Sequence, residues 1–238
     1  MKILCLALSL LAAASASAAP ITWTTPTNET GNPSDIITSG TFFSAAYEGS
    51  SNLTVNGVTF SGFTSISNNL SSYGSSGIQL LNGTSPIGPV NVPPTWNSGY
   101  QSLVDEVSIG PSGAPTEIII NGLTSGTTYE VQILEGFWGE NLTTAYSDGT
   151  HISTPLNVGV YSTGSQQILT LPQFVTGTFT ASGSTQDIFV DGVFNANAGL
   201  FDAIQVRSAE GASVPEPTTI ALLSAGLAGL LRRRRKTS

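Results

Sequence analysis

"TEIIINGLTSGTTYEVQILEGFW", Thr116 to Trp138, decides how the rest of the chain is read. Three consecutive isoleucines, Ile118 to Ile120, are β-branched and stiff, and they suit a pleated, half-buried surface better than a helix. Gly122 and Gly126 then bound a turn. After it, Tyr129, Val131 and Ile133 alternate with Glu130 and Gln132. A period of two places the first set on one face and the second on the other, as in a half-buried antiparallel strand. The stretch therefore reads as strand, glycine-bounded turn, strand.

The same grammar recurs along the chain. "LTVNGVTF" (Leu53 to Phe60) sets Asn56-Gly57 between two β-favouring triplets, and Asn-Gly favours a two-residue type I′ turn. "IFVDGVFN" (Ile188 to Asn195) repeats the device with Asp191-Gly192. Further candidate strands are Thr41–Tyr47, Leu103–Ile109, His151–Tyr161, Gln167–Leu171, Gln173–Thr180 and Phe201–Arg207. No long helical period runs between Ile21 and Ala212. About ten or more short strands in roughly 195 residues predict an all-β fold, a single antiparallel β-sandwich of the jelly-roll type. Two small β domains are the alternative, but no convincing linker divides them. The proline-rich "TSPIGPVNVPPTWNSG" (Thr84 to Gly99) reads as a long surface loop.

Composition supports a folded body. The chain has 238 residues, of which 39% are hydrophobic and only 9% charged, against about a quarter charged in a typical domain. Between Pro20 and Val214 the only cation is Arg207, set against fourteen acidic residues. Such a body repels phosphate backbones, which excludes nucleic acid as a partner. Neutral sugars or a hard cation remain compatible with it. The single cysteine, Cys5, lies in the first segment, so the body has no disulfide, no thiolate nucleophile and no cysteine zinc site.

The two ends are addresses. "MKILCLALSLLAAASASAAP" has a positive start at Lys2, an apolar run from Ile3 to Ala14 and a small-residue A-x-A pattern. It reads as a signal peptide over residues 1–19 for the Sec translocon, cleaved near Ala18 or Ala19. The other end is Pro215-Glu216-Pro217, an apolar helix over 218–231 and the basic stop Arg232, Arg233, Arg234, Arg235 and Lys236. Fourteen helical residues span roughly 21 Å, short of a bilayer core of about 30 Å. The helix thus suits transient rather than permanent membrane insertion, with the cations holding its end on the cytoplasmic side. The prolines keep the junction extended and accessible.

These three features in fixed order resemble the PEP-CTERM sorting signal, here over 213–238. The resemblance implies an exosortase-type sorting protease as partner, cleavage near the motif, and delivery from an inner-membrane intermediate to the cell surface, outer membrane or extracellular matrix. The intervening domain spans 20–212. Its stretches "GLTSGTTYEVQIL", "GTFTASGSTQDIFVDG" and "LFDAIQVR" are similar to secreted bacterial sandwiches of the carbohydrate-binding, galactose-binding-like kind, which implies an extracellular polysaccharide as ligand.

No catalytic residues are assigned. His151 is the only histidine; with Asp148 it could form two members of a triad, but no G-x-S-x-G elbow accompanies it. It reads as a strand-edge residue after a Ser-Asp-Gly turn. Glu135 and Glu140 bracket Phe137 and Trp138, setting acids beside aromatic rings. Sugar C–H faces pack on such rings, so Trp96, Tyr100, Trp138, Glu135 and Glu140 are the candidate glycan-binding residues. The expected function is a non-enzymatic, exported surface or matrix protein that binds polysaccharide. The alternatives are a secreted glycoside hydrolase-like enzyme working with two carboxylates and a purely structural matrix component. No organic cofactor is expected. A structural Ca²⁺ is the candidate metal, with "SDGT" (Ser147 to Thr150) and "QDIFVDG" as suitable loops. Arg207 is expected to pair with one of the many acids.

Overall fold

The computed structural model describes residues 19–63, 72–75, 77–82, 92–105, 108–109, 116–137, 142–192 and 200–209. The signal peptide up to residue 18 and the whole sorting segment therefore lie outside the described residues, as do Trp138 and Glu140. In chain order the elements begin with β1 (Thr22–Trp23), β2 (Thr27–Asn28), a 3-10 turn at Pro33–Asp35, β3 (Thr41–Tyr47), β4 (Leu53–Val55), β5 (Val58–Gly62), β6 (Ser72–Ser75) and β7 (Ile78–Leu81). Helix α1 (Ser98–Leu103), β8 (Ser108–Ile109), β9 (Thr116–Asn121), β10 (Thr128–Leu134), β11 (Thr143–Ser147) and β12 (Leu156–Asn157) follow. The last are β13 (Val160–Ser162), β14 (Gln167–Thr170), β15 (Gln173–Thr180), β16 (Thr185–Gly192), β17 (Leu200–Phe201) and β18 (Ala203–Ser208).

The chain is thus mostly β, as the alternating pattern predicts. An eight-stranded sheet runs β1-β15-β10-β18-β3-β5-β4, with β2 also paired to β15; a six-stranded sheet runs β12-β11-β16-β9-β7-β6. The pairing is antiparallel except between β3 and β5, where Ala46 and Ser61 are in parallel register. That pair departs from the wholly antiparallel arrangement expected. One core joins the two sheets. It takes Val131 and Ile133 from β10, Val175 and Phe179 from β15 and Val206 from β18, and meets Ile118, Ile120, Ile188 and Val190 from β9 and β16. Burying each of these side chains contributes about 1.5–3 kcal/mol.

The opening stretch is confirmed as strand, turn, strand, but β9 and β10 belong to different sheets. The segment from Gly122 to Thr127 therefore arches between layers instead of closing a hairpin. Gly122 and Gly126 supply it with φ of +79° and +82°. Asn56-Gly57 does close the tight hairpin expected of it, with φ of +50° and +75° and β4 paired to β5. Asp191-Gly192 does not. Both residues lie inside β16, opposite Ala145 and Thr144 of β11. Cross-strand pairing there overrides the local turn preference.

Two other expectations change. Leu103 closes α1 and does not open a strand, because Asn97 caps that helix, its side-chain oxygen accepting the N–H groups of Gly99 and Tyr100. His151 to Tyr161 is largely irregular, with only short pairings at β12 and β13. From Val131 to Leu134, β10 is also buried on both faces. Gln132 accepts from the Ile37 N–H and donates to the Asp35 carbonyl, while Gln205 of β18 donates to the Gln132 carbonyl oxygen. The segment after the 3-10 turn is thereby sealed onto the sheet. Beside it a second apolar cluster gathers Trp96, Tyr100, Leu103, Leu134 and Phe137.

Removing atoms from the inter-sheet core leaves a cavity whose cost adds to the lost burial. Ile133→Ala is expected to lower unfolding free energy by about 3 kcal/mol, while Gln167→Ala, on the exposed edge strand β14, costs less than about 0.5 kcal/mol; urea denaturation of the full chain measures both.

Candidate functional site

β10 ends in Glu135-Gly136-Phe137, where its neighbours β18 and β3 also begin or end. Asp202 stands just before β18 and Glu48 just after β3, and the Glu48 N–H donates to the Asp202 carbonyl at 2.8 Å. Glu29, which follows β2, comes in beside them. Four acidic side chains, Glu29, Glu48, Glu135 and Asp202, are each at most 1% exposed. Burial that complete is rare for acids.

Neutral donors reach Glu29, Glu135 and Asp202. Tyr146 donates its hydroxyl to Glu135 Oε1. Tyr100 donates to Glu29 Oε2 at 2.9 Å, and the Gly136 N–H donates to Asp202 Oδ2 at 2.7 Å. The other oxygens, Glu29 Oε1, Glu135 Oε2 and Asp202 Oδ1, are buried without a hydrogen-bond partner among the described residues. Burial disfavours the charged form and pushes the Glu135 carboxyl up to about 8, against the lowering effect of the Tyr146 hydroxyl. Burial also raises Asp202 well above the usual carboxylate range, aided by repulsion from Glu135, Glu29 and Glu48. Glu29 is raised in the same way, first by burial.

Three of the predicted glycan-binding residues, Trp96, Tyr100 and Glu135, are interior. Tyr100 and Glu135 are wholly buried, and Trp96 is only 9% exposed, its ring lying over Gly31 and edge-on to Tyr100 and Phe137. Tyr100, Trp96 and Glu135 are interior side chains because the proline-rich loop turns inward at Trp96 and packs on the sheet. A buried ring has no face for a sugar to stack on. Trp138 and Glu140 lie outside the described residues. Asp202, Glu29 and Glu48 carry no local motif. The signal that could have found them is global: fourteen acids cannot all pair with one cation, so some carboxylates must be satisfied in other ways.

Arg207 does not pair with an acid among the described residues. Its guanidinium donates to the carbonyls of Thr38, Ser39 and Gly40 and lies 5.9 Å from the centre of the Phe42 ring. His151 does sit on Asp148, Nδ1 to Oδ2 at 3.1 Å. That carboxylate is already occupied by the N–H groups of Ile21, Thr150 and His151. Burial works against its charge, but those hydrogen bonds outweigh it and hold Asp148 below its usual range. The "SDGT" loop is therefore a hydrogen-bonded turn whose acid faces its own backbone.

The outer face of the eight-stranded sheet carries a different set. Register aligns Thr22, Thr178, Glu130, Arg207 and Phe42 in one row across β1, β15, β10, β18 and β3. Four strand spacings make that row roughly 19 Å long. At its ends are two shallow cavities of about 350 Å³. One is lined by Pro20, Thr22, Thr128, Thr178 and Thr180, the other by Thr38, Phe42, Asn56, Thr59 and Arg207.

Fold and surface together define an all-β body with a hydroxyl-rich outer sheet face. Its address comes from the tail: residues 213–236 match the family model described as the PEP-CTERM protein-sorting motif. That motif marks the chain for export, membrane-associated sorting and processing by exosortase. No curated protein matches the chain. Among the described residues no helix is long and apolar enough to cross a membrane.

A carboxyl whose folded value is raised binds its proton more tightly in the native state than in the unfolded one. Its effect on stability is nil below the unfolded value near 4.5, becomes increasingly unfavourable as pH rises toward about 8, and is constant beyond. In EDTA, the unfolding free energy of the full chain from urea denaturation is expected to fall steadily from about pH 5 to about pH 8, and Glu135→Gln should flatten that slope by about 1.4 kcal/mol per pH unit over the same range.

Proposed function

We propose that this protein is a non-enzymatic, exported polysaccharide-binding component of the cell surface or extracellular matrix. Its body is a single β-sandwich of the jelly-roll type, delivered by a cleaved signal peptide and released from a transient inner-membrane intermediate by exosortase. The observation that carries the reading is the row Thr22, Thr178, Glu130, Arg207 and Phe42 on the outer sheet face. Phe42 is 45% exposed there, beside Asn56 and the Arg207 guanidinium. An exposed ring flanked by threonine hydroxyls is the chemistry that packs on sugar C–H faces and hydrogen-bonds sugar hydroxyls, while Arg207, only 7% exposed and donating to the carbonyls of residues 38–40, and Asn56, donating to the Ile36 carbonyl, hold the wall of the cavity in place. An extended glycan chain lying across the strands would meet these groups in succession.

The burial of Glu135 speaks for binding over hydrolysis. A glycosidase needs two carboxylates that reach the scissile bond, and Glu135 is enclosed by Tyr146 and the chain around Leu200. A cleaved leader is supported by Ala19, which buries its methyl in the inter-sheet core and donates its N–H to Gln186 Oε1. Of the two expected cleavage points, the one after Ala18 leaves Ala19 at the start of the body and keeps both contacts, whereas the one after Ala19 removes them.

Affinity electrophoresis of the full chain in gels containing the extracellular polysaccharide of its own host tests the binding. Phe42→Ala is expected to weaken retention about tenfold with little change in melting temperature. No retention of the parent protein would leave the structural-matrix reading instead. Terminal mass spectrometry tests the delivery. The exported pool is expected to lack Arg232 to Lys236, and replacing Pro215-Glu216-Pro217 by alanines should leave the uncleaved chain in the membrane fraction.

A further inference from the structure

Residues 19–24 form an arm that bridges the two sheets. Thr22 and Trp23 pair with Thr178 and Gly177 of β15 in the eight-stranded sheet. On the side of the six-stranded sheet, the Ala19 N–H donates to Gln186 Oε1 on β16 at 3.0 Å, and the Ile21 N–H donates to Asp148 Oδ2, just after β11, at 2.6 Å. The Trp23 indole N–H reaches the His151 carbonyl at 3.3 Å. Ala19 and Ile21 are 4% and 2% exposed. β15 makes room for the arm with a glycine: a Cβ on Gly177 would lie 2.6 Å from Ile21 Cγ2 and 2.7 Å from the Trp23 ring.

These contacts begin at the first residue after an expected leader cut. We propose that the docked arm shields the Ala18–Ala19 bond, so that leader removal has to precede closure of the body, and a chain that closes first keeps its leader and its tether to the membrane. The proposal rests on the cleaved-leader reading above and not on glycan binding. Cleavage adds one water across that amide and leaves a carboxylate on Ala18 and an amine on Ala19. Peptidases take exposed, extended chain, and a buried segment must first open locally. Ala19 supplies the nitrogen of the bond, yet its side chain is in the core and its N–H is on Gln186. Three hydrogen bonds and the burial of Ile21 hold the arm, so the open form is on the order of 1% of the folded population or less.

The order of events is set by the chain itself. The partners of Ala19 and Ile21 lie 167 and 127 residues downstream. At about 5–20 residues per second they follow the leader by roughly 6–30 s. During that interval the arm has nothing to dock on and the bond is open to the peptidase. The freed amine of Ala19 keeps a donor for Gln186 Oε1, so the cut leaves that contact usable.

The test uses the full chain in detergent with purified leader peptidase. Chain refolded before the enzyme is added is expected to be cut at Ala18–Ala19 about 100-fold more slowly than chain diluted from urea straight into the enzyme. Gly177→Val is remote from the bond in sequence but displaces Ile21 and Trp23, so refolded chain carrying it should be cut at least about tenfold faster than refolded parent. Asp148→Ala removes the acceptor of the Ile21 N–H and serves as a second variant with the same expectation, while Gln167→Ala on β14 should change nothing. Trypsin reports global unfolding: Arg207, the only cation of the body, is 7% exposed, and cutting there should stay slow in every variant. Equal rates for refolded and diluted chain would overturn the proposal. Slow cutting that neither variant relieves would overturn it too, by placing the shield elsewhere. The same holds if relief in both variants comes with fast cutting at Arg207, which traces access to global unfolding. No cut at Ala18–Ala19 in either order would instead sink the cleaved leader itself, and this proposal with it.

Discussion

Strand β10 is dry on both faces over its second half, Val131 to Leu134, and much of the molecule follows from that. Its apolar side closes the core against the six-stranded sheet, while its polar side is sealed by an amide relay through Gln132 and Gln205 to the segment after the 3-10 turn. A strand in that position cannot shift register by one residue without sending Val131 and Ile133 outward and leaving Gln132 in an apolar layer. The neighbours β15 and β18 are aligned on it over seven and six residue pairs. The outer row and the inner acid cluster inherit their geometry from this alignment.

The second constraint is electrostatic. With Arg207 spent on carbonyls, buried acids in this body must be neutralised by hydroxyls, backbone N–H groups, protons or a bound cation. Tyr100 and Tyr146 serve the first purpose and the Gly136 N–H the second. What they leave over concentrates where β10, β18 and β3 converge. Leaving such groups charged in a low-dielectric interior is costly, so the composition of the whole chain, and not a local motif, creates the chemistry of that corner.

The surface presents the opposite chemistry. Hydroxyls outnumber the ionic side chains Glu130 and Arg207 along the outer sheet, and several threonines pair across strands, Thr24 with Thr176 and Thr128 with Thr180. A face of this kind neither steers charged partners nor repels neutral chains. It suits a protein whose C-terminal motif sends it out of the cell.

The sequence by itself determined the periodicity of the strands, the Asn56-Gly57 hairpin, the absence of cysteine from the body, and the C-terminal address, because each rests on local geometry, composition or a contiguous motif. Alternation in Thr128–Leu134 announced β10 without its partner strands. Three things were decided only in the folded structure. β9 and β10 part into different sheets, since a turn of that length serves an arch or a hairpin equally. Trp96 and Tyr100 turn inward, since a proline-rich loop looks the same from its residues whether it packs or not. Glu29, Glu135 and Asp202, far apart in the chain, meet because strand pairing brings β10 and β18 together and folds the segment after β2 against them. Such meetings are set by long-range hydrogen bonding and shared burial, which no local window of residues contains.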